Sequence, residues 1–539
     1  MNRHVKIVLA GLLFLWYFSG QTHTIEAKEK DSADKIVLEN QKPNFLYILC
    51  DDLGYGDVRI FNPKRCKIAT EHMDKLAKQG MIFTDAHSGS AVCTPTRYGI
   101  LTGRYSWRSR LQSGVLSGTD SPLIPTSRLT VAKFLQQNGY HTACMGKWHL
   151  GLDWAKKPMS KQDQKTDNNK GKIEKKGKQP PRDASWNIDY TKPIANGPTS
   201  LGFDYFFGIS ASLDMPPYVF IENDKVTSLP TVEKTYIRKG AASADFEAID
   251  VLPKLTEKAI TYIQERSDES KKGKPFFLYL AFASPHTPIV PAKSFQGKSN
   301  LSPYGDFVMQ TDDSIGKILD CLDKTGLSDN TIVILTSDNG CSPWANVNQL
   351  EKLGHFASGD LRGYKADIWD GGHRMPFIVR WPGKIKSGTS CSQTICHTDF
   401  FATCADILQK KLPDNAAEDS FSLLPLWLGK QKKISRAAVI HHSISGVFSI
   451  RQGDDKLILC PGSGGWSQPN DKKALQDHLP SAQLYNMKDD IGEQKNLAKD
   501  QQQTIDRLTK LLEEYIHNGR SNSGPPQQND AMIKIWKSR

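Results

Sequence analysis

Asn44-Phe45-Leu46-Tyr47-Ile48-Leu49-Cys50 is a continuous apolar run that stops at Asp51-Asp52. Far downstream, Thr331-Ile332-Val333-Ile334-Leu335-Thr336 stops in the same way at Ser337-Asp338-Asn339-Gly340. Short apolar runs without polar alternation read as strands buried on both faces. Pro275 to Phe282, before Ser284-Pro285-His286, and Pro376 to Arg380 are of the same kind. Helix-like stretches lie between them, at Met73 to Gln79, Leu129 to Gln137, Val251 to Arg266 and Gly305 to Thr325. Strands alternating with helices predict an α/β fold with a mostly parallel sheet sandwiched by helices. Ligands of such sheets sit beyond the carboxyl ends of the strands. Asp51-Asp52, His286 and Asp338-Asn339 are therefore expected at one sheet edge and in one site.

The chain has 539 residues, more than one small core needs. After about Ser435 the pattern turns to shorter strand-like pieces, Ala437 to His442, Gly446 to Arg451 and Leu457 to Cys460, then a helix from Thr504 to Tyr515. This predicts a catalytic domain over 28–430 and a smaller C-terminal α+β domain over 431–539 with an antiparallel sheet. The tail from Asn518 has little means to build a core of its own.

Residues 1–27 carry a basic start, an apolar stretch from Ile7 to Phe18 and a polar end, the pattern of a secretory signal peptide. The stretch is short for a membrane span. A secreted or periplasmic protein without a stable span is expected. The ten cysteines allow a few disulfides without forming a framework, and Cys50 and Cys144 read as buried thiols. No pair, Cys391 and Cys396 included, has zinc-site spacing.

Net charge is +12, which admits nucleic acid, an anionic membrane or an acidic polymer as partner. Residues 156–182 alone hold ten Lys/Arg against three Asp/Glu. With no apolar run, a loop over 155–195 reads first as a solvated insertion and second as a basic arm for a polyanionic glycan. Nucleic acid is not expected.

The chemistry is concentrated in Val92-Cys93-Thr94-Pro95-Thr96-Arg97-Tyr98-Gly99-Ile100-Leu101-Thr102-Gly103-Arg104. A cysteine by itself is usually a small buried hydrophobe, and Asp-Asp after a strand is as often a cap or turn as a metal site. Yet Asp51, Asp52, Asp338 and Asn339 together offer hard oxygen donors without a His or Cys cluster, which suits Ca²⁺ or Mg²⁺ better than zinc. Arg97 stands four residues after Cys93 and faces the same way on a helix.

Cys93-x-Pro95-x-Arg97 with the following Thr102-Gly103-Arg104 resembles the signature of the formylglycine-dependent sulfatases, arylsulfatase-like and carbohydrate-acting. Asp51-Asp52-Leu53-Gly54-Tyr55-Gly56-Asp57, Gly146-Lys147-Trp148-His149, Ser284-Pro285-His286-Thr287-Pro288, Ser337-Asp338-Asn339-Gly340, Leu361-Arg362-Gly363-Tyr364-Lys365 and Leu484-Tyr485-Asn486-Met487 resemble further motifs of that family in the same order. Asp370 where Glu is common, in Asp370-Gly371-Gly372-His373-Arg374, and Asn486 for Asp are conservative departures.

The resemblance implies the alkaline phosphatase-like version of the predicted fold. It implies that a formylglycine-generating maturation enzyme converts Cys93 to formylglycine. It also implies that Asp51, Asp52, Asp338, Asn339 and the converted Cys93 hold calcium. Arg97 and Lys147 would bear the charge of the sulfate. His149 would act on the aldehyde hydrate, and His286 or Lys365 would protonate the leaving alcohol. Ser212 would contact sulfate, with Ser210 close enough to compete. His373 and Arg374, with Asp214 to Tyr218, are the expected pocket rim. The implied substrate is a sulfated carbohydrate. A phosphatase or phosphodiesterase of the same superfamily is the alternative, disfavoured by Cys93 and the single metal set; a glycan-binding relative without activity is disfavoured by the intact motif residues.

Overall fold

The computed structural model describes residues 42–158 and 183–537, so the signal-peptide reading of 1–27 and most of the basic loop lie outside the described residues. The described residues from Asn44 onward form one compact unit. The strands of its large sheet are β1 (Asn44–Asp51), β2 (Met81–His87), β3 (His141–Lys147), β4 (Tyr205–Ile209), β5 (Ile221–Glu222) and β6 (Lys225–Val226). A separate hairpin follows, β7 (Pro230–Tyr236) and β8 (Arg238–Ser243). The large sheet continues with β9 (Phe276–Pro285), β10 (Thr331–Ser337), β11 (Arg374–Arg380), β12 (Thr389–Cys391) and β13 (Ile395–Cys396). Its order is β12-β2-β11-β10-β1-β9-β3-β4-β5-β6, with β13 beside β2.

The centre is parallel: β10, β1, β9, β3 and β4 all run the same way. β11 runs antiparallel to both β10 and β2. Side chains alternate across a strand, and here both alternating sets are apolar. Leu46, Ile48 and Cys50 of β1 join the core under the helices Glu71–Gln79, Ala248–Lys271 and Pro303–Lys324. Phe45, Tyr47 and Leu49 join the opposite core with the helices Cys93–Thr102, Val131–Gln137 and Asp399–Ile407. That two-sided burial is why the sequence shows unbroken apolar runs.

A four-stranded antiparallel sheet follows: β14 (Val439–His442), β15 (Phe448–Gln452), β16 (Asp455–Ile458) and β17 (Gln483–Asn486). The helix Gln502–His517 covers one face through Ile505, Leu508 and Leu512. Tyr105, Trp107 and Cys396 share that core with the second sheet. Ile533, Ile535 and Trp536 of the polar tail pack on it as well, so the tail borrows a core. All ten cysteines are free thiols, and Cys50 and Cys144 are buried. Among the described residues, no helix is long and apolar enough to cross a membrane.

Candidate active site at the strand ends

The parallel strands deliver their polar residues to one edge, as expected. β1 ends in Asp51 and is followed by Asp52, β10 precedes Asp338-Asn339, and β9 precedes His286. The structure adds two strands to this set. β3 ends in Lys147 shortly before His149, and Ser210 and Ser212 follow β4. Gly146 makes the turn into Lys147 possible. Its φ is +114°, and a Cβ there would lie 1.8 Å from the Ala281 carbonyl oxygen of β9, a place only glycine can occupy.

Cys93 opens the helix Cys93–Thr102, which is buried throughout. Pro95 lies in the first turn, where a missing N–H breaks no helical bond. The preceding loop is fixed by Ser88 N donating to the His373 carbonyl (2.8 Å) and Ala91 N to the His442 carbonyl (3.0 Å). Cys93 therefore sits on a rigid mount.

Three carboxylates and three cations meet around it. Lys147 Nζ donates to both oxygens of Asp51, at 2.9 and 2.7 Å. Arg97 Nη2 and Nε donate to Asp338 Oδ2 at 2.7 and 3.1 Å, and Nη1 to the Lys147 carbonyl at 2.9 Å. Lys365 Nζ donates to Asp52 Oδ1 at 2.6 Å, and Asn339 Nδ2 to the same oxygen at 2.7 Å. His286 Nε2 lies 3.6 Å from Asp52 Oδ2. Asp52 itself has φ +65°, a strained conformation for a residue other than glycine.

Burial by itself would raise the Asp51 carboxyl, but Lys147, His286 and Arg97 hold it down to about 2. Asp52 is likewise lowered against its burial by His286 and Lys365. Burial would lower Lys365, and Asp52 outweighs it, so this ammonium stays charged. Burial pushes the Cys93 thiol up to about 12 despite Lys147 and Lys365. A thiol so placed is a poor nucleophile at neutral pH.

His149 lies well below the usual imidazole range, through burial first and then Lys147 and Arg97. Its Nε2 is 2.7 Å from the Leu116 carbonyl, which can only accept, so the ring proton sits on Nε2. Nδ1 is buried without a partner. His149 is thus a neutral imidazole with one free lone pair in the site. His286 Nδ1 in turn donates to the Thr287 carbonyl at 2.5 Å, which leaves Nε2 facing Asp52.

Two more buried acceptors lack donors: Asp52 Oδ2 and Asn339 Oδ1. Ligand atoms of Asp51, Asp52, Cys93 and His286 lie within 4.8 Å of one another. Hard oxygens left unsatisfied beside a compact acidic cluster fit a hard divalent cation.

Cys93, His149, Ser212, His286 and Lys365 line one cavity of about 460 Å³, together with Asp214, Arg238, Trp344 and Trp466. The hydroxyls of Ser210 and Ser212 are both buried and unpartnered, but only Ser212 lines the cavity. Ser210 Oγ faces Gly118, at 3.0 Å from where a Cβ there would stand.

His373 and Arg374 are not at the rim. His373 is wholly buried, with Nδ1 3.0 Å from His87 Nδ1, Nε2 3.0 Å from the Ile368 carbonyl, and its ring stacked on His441. Arg374 donates to the Thr84 carbonyl at 2.6 Å and lies 3.4 Å from Asp85 and Asp370. His373 directly precedes β11 and Arg374 opens it, and this end of the strand faces the second sheet. Sequence reading passed over Arg238, Trp344 and Trp466; an exposed tryptophan has no signature until the fold is known.

The sulfatase family model matches residues 43–410. The chain is 34% identical to the N-acetylgalactosamine-6-O-sulfatase of Bacteroides thetaiotaomicron, over 88% of this chain and 93% of that one. It is 28% identical to the human steryl-sulfatase, over 83% of this chain and 77% of the relative. Among solved structures, a Bacteroides thetaiotaomicron sulfatase from a locus for the metabolism of multiple glycosaminoglycans superposes with a TM-score of 0.74 at 31% identity, covering 88% of this chain and 99% of that one. A Pseudoalteromonas sulfatase shares the fold at 23% identity, with a TM-score of 0.64, over 90% and 94% of the two chains. With the motif residues converging as they do, the chain belongs to the sulfatase family and is a sulfuric ester hydrolase.

Proposed function

We propose that this sulfatase removes sulfate from a carbohydrate, with Cys93 converted to formylglycine by a formylglycine-generating enzyme and Ca²⁺ held by Asp51, Asp52, Asp338, Asn339 and the converted residue. The observation that carries this reading is the pair of orphaned acceptors, Asp52 Oδ2 and Asn339 Oδ1, within the site that Cys93 opens. When present, the cation and the aldehyde supply Lewis-acid charge neutralisation and a hydrated carbonyl nucleophile.

The chain's own residues do the rest. Asp51, Asp52 and Asp338 balance Arg97, Lys147 and Lys365 one for one, so a bound dication leaves the site electropositive and draws in an anionic sulfate ester. Lys147, Lys365 and the hydroxyl of Ser212, which has no partner, would donate to the sulfate oxygens. Arg97 holds Asp338 in place. The departing alkoxide takes a proton from Lys365 Nζ, or from Nε2 of a His286 imidazolium, whose Nδ1 proton is engaged by the Thr287 carbonyl. His149 accepts a proton at Nδ1, the lone pair that its bond to Leu116 leaves free.

A carbohydrate substrate draws on the relatives that act on N-acetylgalactosamine 6-O-sulfate and serve glycosaminoglycan metabolism. The N-terminal segment 1–27 directs secretion or periplasmic export, and the chain divides into a catalytic domain to residue 430 and a C-terminal domain from 431. Release of inorganic sulfate from a panel of sulfated sugars tests the reading, with a phosphodiester as control. Sulfate release that needs Ca²⁺ supports it; cleavage of the phosphodiester alone overturns it.

A further inference from the structure

The proposal here rests on the carbohydrate reading above and concerns what the cavity reads beyond the sulfate. Among the described residues, two tryptophans are exposed, Trp344 at 69% and Trp466 at 44%, and both line the cavity that holds Cys93. Large exposed apolar side chains gathered at one cavity mark a binding surface. They come from unrelated parts of the chain. Trp344 lies in the turn after β10, and Trp466 in the glycine-rich loop after β16, where its backbone N–H donates to Asp367 Oδ1 at 2.8 Å. Ile237 joins them from the β7–β8 turn, 53% exposed and at φ +80°. A β-branched residue at that φ is strained, and strain of this kind gathers at functional sites.

Beside this apolar rim lies a buried charge with half its valence unused. Asp214 is 6% exposed and lines the same cavity. Its Oδ2 accepts from Arg238 Nη1. Its Oδ1 is buried without any donor. A carboxylate oxygen in that position carries a desolvation cost that a ligand donor would repay. Tyr218 fixes the arrangement by donating through its hydroxyl to the carbonyls of Asp214, at 3.0 Å, and of Arg238. The backbone of Asp214 is thereby held, and the Arg238 ion pair orients its carboxylate.

A sugar ring supplies both complements: hydroxyl donors on its edge and apolar C–H faces. We propose that Asp214 Oδ1 accepts a hydrogen bond from a hydroxyl of the sulfated sugar, that Arg238 positions Asp214, and that Trp344 and Trp466 pack on the ring faces of an oligosaccharide. The negative carboxylate also disfavours a second sulfate at the hydroxyl it reads.

The test compares two probes on the mature enzyme: a small aryl sulfate, which has no ring hydroxyl, and the best-cleaved member of a panel of sulfated amino-sugar oligosaccharides. Asp214→Ala and Trp344→Ala are each expected to lower the ratio of kcat/KM on the oligosaccharide to kcat/KM on the aryl sulfate by about 10–100-fold. Trp344 is exposed, so its variant keeps the test alive if Asp214→Ala folds poorly. Equal losses on both probes, or no loss on either, overturn the proposal. Wild-type cleavage of the aryl sulfate but of no oligosaccharide overturns it while leaving sulfatase chemistry standing. Failure of the wild type on both probes brings down the underlying reading first, and this one with it.

Discussion

Among the described residues, two of the buried clusters of Asp, Lys, Arg and His behave in opposite ways. At the strand ends, Asp52 Oδ2, Asn339 Oδ1 and His149 Nδ1 have no hydrogen-bond partner, and a cavity opens onto the group. Between the two sheets, every carboxylate oxygen of Asp85, Asp370 and Glu493 has a donor. Asp85 takes His87 at 2.8 Å, Arg451 at 2.9 Å and Thr394 at 2.6 Å. Asp370 and Glu493 share Lys456 at 2.7 and 2.8 Å, Glu493 also accepts from Asp370 N at 2.7 Å, and Arg374 reaches the other Asp370 oxygen at 3.4 Å. Burial and charge are common to both clusters. What distinguishes the strand-end site is that carboxylate and amide oxygens are left without donors there, whereas between the sheets every carboxylate oxygen is satisfied and the unpartnered atom is a ring nitrogen, His441 Nε2; the second cluster is a clasp between sheets.

The largest effect that separates them is on turnover. Cys93→Ala is expected to cut sulfate-ester hydrolysis by more than about 10³-fold with melting temperature little changed; appreciable multiple turnover by the variant breaks the comparison. Lys456→Met is expected to do the reverse. Removing the cation shared by Asp370 and Glu493 leaves buried charge uncompensated, at a cost of about 3–5 kcal/mol, read in denaturant unfolding, while kcat of the folded fraction persists.

Calcium sharpens the contrast. At a concentration of about 100 times Kd it should stabilise the wild type by about 2.7 kcal/mol, seen as a rise in melting temperature. Asn339→Ala should shrink that rise, and Glu493→Gln should not. A smaller effect concerns pH. Burial, aided by Asp370, pushes the Glu493 carboxyl from 4.5 up to about 7. Between those values the folded state keeps a proton that the unfolded state has lost, so stability falls as pH rises through that window. Glu493→Gln should flatten this slope by on the order of 2 kcal/mol across the window, measured by unfolding at a series of pH values.

Much of this was legible in the sequence because its causes are local. A strand buried on both faces must be apolar throughout, so β1, β9, β10 and β11 announced themselves, and the polar residues after β1, β9 and β10 marked the edge. β7 alternates half-buried and exposed residues, and its hairpin has no such run. β17 is only Gln483-Leu484-Tyr485-Asn486, too short to show a period, though the family motif fell on it. Placing the rim at His373 and Arg374 failed for a tertiary reason: the second sheet packs over the start of β11 and closes it from the cavity. The choice between Ser212 and Ser210 likewise rested on which way each hydroxyl faces, which spacing does not encode.

The central claim is that the open cluster works through a chemically altered residue 93. Mass spectrometry of the peptide containing Cys93, from protein made with a formylglycine-generating system and active on a sulfate ester, tests it most directly. The account predicts a peptide lighter than the thiol form by about 18 Da, in proportion to the sulfate released. An unmodified Cys93 thiol in protein with full turnover would contradict it.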